Sequence, residues 1–251
     1  MPTSGLAPTL DSATVLKDYE HIFEDPWRSR THPAPELYSP VYDGRDDQQD
    51  DPFPFVKKEH LRLLLQMMQS VIKIWLQQTK LPSQPQWPDF MVLDSLCQRI
   101  VSMPSSKVPG LPCSDDHVYE ACRLISLLMV QSVEAGRSWK CMVQGTSMLV
   151  DIKEALQRTD LGSLWGDNVG LLYWIMLVYH CAAYGTADYA LAHTILTNIQ
   201  FEITYSYEDW HAALIAMAEL KDVMIITKRD LASRFAGIED LSGFSDIIDE
   251  E

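Results

Sequence analysis

The 251-residue chain is 47% hydrophobic and 22% charged, which is the balance of a folded globular protein with one sizeable core. Eleven glycines against eleven methionines and ten tyrosines favour packed helices over a sheet with many tight turns. Of the formal charge of −15, residues 1–54 carry −7 and residues 239–251 carry −6, leaving about −2 on residues 55–238, so the body is nearly neutral and a strongly basic nucleic-acid-binding surface is excluded.

The pattern divides the chain into an acidic, proline-rich N-terminal segment (1–54), an all-helical domain (55–238) and an acidic tail (239–251). A short amphipathic helix is expected after Asp11 or Ser12. Prolines 26, 33, 35, 40, 52 and 54 then prevent regular structure, although Trp27, Tyr38 and Tyr42 suit a segment lying along the body. Leu61, Leu64, Leu65, Met68, Val71, Ile72, Trp75 and Leu76 keep helical spacing, with Arg62, Gln66, Gln69, Lys73 and Gln77 opposite. A second helix is expected over about 89–102. A third runs from His117 to about Ala135, capped by Ser114 or Asp115, and a fourth covers about 142–157.

The fifth helix, over residues 169–187, has no charged residue on any face. Its nineteen residues approach the roughly 20 needed to span a bilayer. Acids flank both ends (Asp167, Asp188) and no basic residue anchors either side, so a buried bundle centre is the expectation and not a membrane span. Helices over about 188–205, from Glu208 onward and over 222–238 complete an all-α, single multi-helix bundle around one central uncharged helix.

Chemistry-bearing motifs are sparse. Asp46-Asp47-Gln48-Gln49-Asp50 matches the DDxxD pattern of magnesium-diphosphate sites, but it lies in the proline-rich linker and reads as solvated acid. HExxH, C-x-x-C, G-x-S-x-G and glycine-rich phosphate loops are all missing, and no two of the seven histidines are spaced i, i+4. Neither a metal nor a cofactor is expected. No Lys or Arg occurs between Arg158 and Lys221 while seven acids do, a surface that repels phosphate and argues against direct contact with nucleic acid. No basic-then-apolar leader is seen at the N-terminus. Five scattered cysteines, odd in number, fit reduced thiols in a cytoplasmic or nuclear setting.

What remains is a constellation on the uncharged helix. Tyr173, Met176, His180 and Tyr184 are spaced +3, +4, +4 on one face, and Trp174 and Tyr179 lie beside them. Buried hydroxyl and imidazole groups need partners. One outcome is a core histidine bonded to a tyrosine or a carbonyl. The other is a pocket wall in which His180 handles protons with Tyr173 or Tyr184 orienting, and Trp139, Trp165, Trp210 and His211 supply opposing walls for a medium-sized organic ligand.

From Tyr119-Glu120-Ala121-Cys122-Arg123-Leu124 onward, through Leu149–Leu156, Asp160, Trp165 and Leu171-Leu172-Tyr173-Trp174 to Ala182-Ala183-Tyr184-Gly185-Thr186, the succession resembles the fungal-specific transcription factor domain. That is the helical regulatory region of zinc-cluster activators. The resemblance covers roughly residues 119–210 and implies an all-helical body responding to effectors. The C-x2-C-x6-C halves of the family's zinc cluster do not occur here, and Ala190-Leu191 stands where an aromatic pair is common.

Two readings follow. The chain is a stand-alone binding or regulatory domain tied to secondary metabolism, acting through a ligand, a homodimer or a protein partner. Alternatively its pocket performs a cofactor-free cyclisation or isomerisation, which needs little beyond shape, water exclusion and one or two proton-handling groups.

Overall fold

Leucine, methionine and β-branched side chains recurring every three or four residues dictate the architecture. In the computed structural model, residues 37–41, 53, 55–80, 87–135 and 137–206 are described. Among them are seven α-helices, two single 3-10 turns and no strand, an all-α fold. The expectations placed on residues 1–36, on the acidic run 46–50, on Trp210 and His211 and on everything beyond Ser206 lie outside the described residues.

Helix α1 (Glu59–Lys80) buries Leu61, Leu64, Leu65, Met68, Val71, Ile72 and Trp75. Gln69, expected on the polar face, is buried as well. Helix α2 (Trp87–Val101) starts two residues earlier than expected, with Pro88 in the first turn, where a missing N–H costs no helical bond. Helix α3 (His117–Ala135) is capped by Asp116 and not by Ser114 or Asp115: Asp116 Oδ1 accepts from the Tyr119 N–H at 3.2 Å. Asp115 instead takes a left-handed φ of 58° in the turn before it.

The single fourth helix expected over 142–157 is two elements, α4 (Trp139–Val143) and α5 (Met148–Gln157). Gly145 breaks them apart with a φ of 71°, a conformation that favours glycine. Two 3-10 turns, Leu161–Ser163 and Gly166–Asn168, lead into α6 (Val169–Ala182). Helix α7 (Tyr189–Ser206) follows. Helix α6 is therefore fourteen residues long and not nineteen. The Ala183 N–H bonds the Tyr179 carbonyl, the Thr186 N–H bonds the Ala183 carbonyl, and Gly185 turns the chain with a φ of 79°. Among the described residues no helix is long and apolar enough to cross a membrane.

Twelve residues of α6 are buried, and the helix packs against α3, α4, α5 and α7. It shares the centre with α3, which touches α1, α2, α4, α5 and α6. Trp174, fully buried, donates its indole N–H to Met129 Sδ of α3 at 3.3 Å. Each large apolar side chain fully buried here contributes about 1.5–3 kcal/mol, which is why an uncharged α6 sits inside. The core also reaches back before residue 55: Leu37, Val41 and Phe53 belong to it. Residues 37–41 run across the start of α6 so closely that a Cβ on Gly170 would lie 2.2 Å from the Tyr38 carbonyl oxygen.

Candidate functional site

The early end of α6 separates the candidate residues into two groups. Tyr173, Trp174, Met176 and Tyr179 lie within the helix and are at most 2% exposed. Burial pushes the Tyr173 phenol above its ordinary value, while a hydrogen bond with Gln200 of α7 works against the rise. Burial likewise pushes up the Tyr179 phenol, helped by the charge of Asp188. The Tyr179 hydroxyl and the Trp139 indole N–H are buried without a hydrogen-bond partner among the described residues. Trp165 is half-buried just before the second 3-10 turn with a φ of 63°, and its indole N–H donates to Thr159 Oγ1 at 3.0 Å. These side chains are core or turn members.

The second group gathers where α6 turns into α7. His180 is half-buried and Tyr184 is 54% exposed. Tyr184 stands on the turn and not on the face shared by Tyr173, Met176 and His180, because the helix has ended at Ala182. The His180 ring lies 4.6 Å from the ring of Tyr189 and 5.5 Å from that of His193, centroid to centroid. Tyr189 stacks on His193 at 6.0 Å and takes Tyr184 edge-on at 5.3 Å. Lys140 of α4 holds its ammonium 5.3 Å from the centre of the Tyr184 ring, within cation–π range. Asp188, the acid of this turn, is engaged by Lys153 at 2.6 Å.

This cluster therefore combines two imidazoles, two phenols and an ammonium on a half-open surface. It can stack a planar ring, and its imidazoles offer nitrogen donors and acceptors. Two of the three catalytic candidates, His180 and Tyr184, are in it. Tyr173 lies seven residues before His180, about two turns away along α6. Tyr189, His193 and Lys140 were not singled out from the sequence. His193 follows Tyr189 by four residues on α7, which is a readable signal. Lys140 comes from a distant segment and left none.

No protein-family model, curated protein or solved structure matches the chain.

A separate polar network surrounds the start of α3. Asp116 Oδ2 meets His60 Nε2 at 2.8 Å and Lys58 Nζ at 2.9 Å. Burial raises the Asp116 carboxyl, but Lys58, His60 and the Tyr119 N–H together hold it below the ordinary carboxylate range. Glu120 is similarly buried and is held low by Arg123, the Ser106 N–H and Ser105. The Glu120–Arg123 pair is doubly bonded, at 2.7 and 3.0 Å. Lys107, Glu120, Asp151, Glu154 and Arg158 border a hollow of about 50 Å³, far below the roughly 300–1,000 Å³ of organic-ligand pockets. Its cations are already paired with its acids, so the network ties the loop over residues 102–116 to α5. Among the described residues no three His, Cys, Asp or Glu side chains are grouped to hold a metal.

Proposed function

We propose that the chain is a helical small-molecule-binding and regulatory module, of the kind implied by its resemblance to fungal transcription factor effector regions. Its ligand site is the ring cluster at the α6–α7 turn. The observation that carries this reading is the contact of half-buried His180 with Tyr189 and His193, beside the exposed ring of Tyr184. An aromatic surface with a few polar tips is suited to a medium-sized organic ligand, here one drawn from secondary metabolism. Five free cysteines support a cytoplasmic or nuclear setting.

One observation favours a second reading. The His180 and His193 imidazoles are 5.5 Å apart, close enough for one to donate and the other to accept a proton on a bound substrate, as a cofactor-free cyclase or isomerase requires. The test separates the two. The full chain is screened by thermal shift against polyketide, terpenoid and alkaloid-like compounds, and every compound is recovered and weighed by mass spectrometry and chromatography. A raised melting temperature with the compound unchanged supports the regulatory binder, since a ligand preferring the folded state stabilises it. An isomerised product makes the protein an enzyme. Stabilisation that survives intact in both His180→Ala and Tyr184→Ala removes the ring cluster from either reading.

A further inference from the structure

The chemistry of the ring cluster narrows the class of ligand it takes, given the site proposed above. Three features bear on charge. Lys140 lies over Tyr184 and makes no ion pair with a carboxylate among the described residues. The turn's own acid, Asp188, is held by Lys153. The imidazoles of His180 and His193 bring no negative charge. Among the described residues, the α6–α7 turn thus gathers an ammonium with no carboxylate partner and two imidazoles around stacking surfaces. An anion is the complementary charge.

A cationic ligand fits less well. Ring cages for quaternary ammonium groups present open ring faces to the ligand. Here Tyr189 and His193 stack on each other, His180 covers Tyr189, and the ammonium of Lys140, over one face of Tyr184, would repel a second cation brought to the other face. We infer that the α6–α7 cluster recognises an aromatic carboxylate or phenolate. Its ring packs on Tyr184 and its anionic group meets Lys140, with the imidazole of His193 as a further donor.

The probes are naphthalene-2-carboxylate, its neutral carboxamide and a naphthyl trimethylammonium ion, each titrated calorimetrically into the full chain at low salt. The carboxylate is expected to bind about five-fold tighter than the carboxamide, the worth of one partly exposed charge contact. That margin should vanish in Lys140→Met, persist in Lys140→Arg and shrink in 0.5 M salt. Equal binding of carboxylate and carboxamide, with both lost in Tyr184→Ala, overturns the anion preference while leaving the site itself standing. Tightest binding by the ammonium probe overturns it in favour of a cation. A carboxylate margin that persists in Lys140→Met assigns the anion to other residues and overturns the role given to Lys140. Binding by none of the three overturns the inference outright, whereas the site reading is decided by the broader screen.

Discussion

Glu120 shows how one residue binds several segments together. Its two oxygens receive the Arg123 guanidinium, the Ser106 N–H and the Ser105 hydroxyl, and both members of the ion pair are largely buried. Removing one partner of such a pair leaves the other charge without compensation, at about 3–5 kcal/mol, whereas replacing both with apolar groups is often close to neutral. Glu120→Gln is therefore expected to lower stability by about that amount, and Glu120→Met with Arg123→Met to recover most of it. Urea denaturation of the three proteins checks this; a loss below 1 kcal/mol in Glu120→Gln would show that Arg123 finds its compensation elsewhere. Trp174 poses a smaller version of the same question. Met129→Leu nearly conserves volume, yet it takes away the acceptor that a fully buried indole N–H has among the described residues. A cost of about 1–3 kcal/mol is expected from the unsatisfied donor, measured by the same titration.

Between elements, residues 37–41 pass close against α6 at Gly170. Gly170 has no Cβ, and one added there would meet the backbone carbonyl of Tyr38 at 2.2 Å and the Leu37 side chain at 3.1 Å. Gly170→Ala gains up to about 1 kcal/mol of helix propensity but must push the strap away or distort α6, at about 1–3 kcal/mol. A net fall in melting temperature is expected, with faster proteolytic cleavage near residue 40; a rise would mean that the strap adds nothing to stability. Helix periodicity and proline placement made α1, α2, α3 and α7 legible in the sequence to within a few residues. The break at Gly145 and the end of α6 at Ala182 were not placed to the residue, although Gln144-Gly145-Thr146-Ser147 and Gly185-Thr186 mark both turns in the sequence, with each glycine at positive φ. The second of these shifted the candidate site. Tyr184 was read on the helical face of Tyr173 and His180, and it lies on the turn instead. His180 and Tyr184 could be singled out because polar tips on an uncharged helix need partners. Lys140 could not, since only tertiary packing brings α4 against α6. The charge network around Asp116 and Glu120 combines residues 58–60, 105–107, 116–123 and 151–158, a convergence that no local spacing encodes.

Across the whole molecule, acid stability sets two electrostatic effects against each other. The chain carries −15, and protonating carboxylates relieves self-repulsion, which would stabilise the fold as pH falls. Most of that charge, however, belongs to residues 1–54 and 239–251, and exposed charges farther apart than about 8 Å are largely screened at physiological salt. Inside the body, Asp116 and Glu120 are held below their ordinary values of 3.8 and 4.5 despite burial. Asp151 is also held low, first by its hydrogen bond from Lys107. For a carboxyl whose folded pKa is depressed, the unfolded chain takes up its proton first. The stabilisation is complete above the unfolded value and drains as pH falls through the folded one. The body term is expected to be the larger, because the Asp116 and Glu120 carboxylates are buried and paired. The melting temperature is therefore expected to be nearly flat between pH 7 and about 5 and to fall once pH drops below about 4.5. Glu120→Gln, with one titrating carboxyl removed from the network, should fall less steeply over that range from its lower starting point. A wild-type melting temperature that rises on acidification would show that repulsion among the acidic ends outweighs the network at the start of α3.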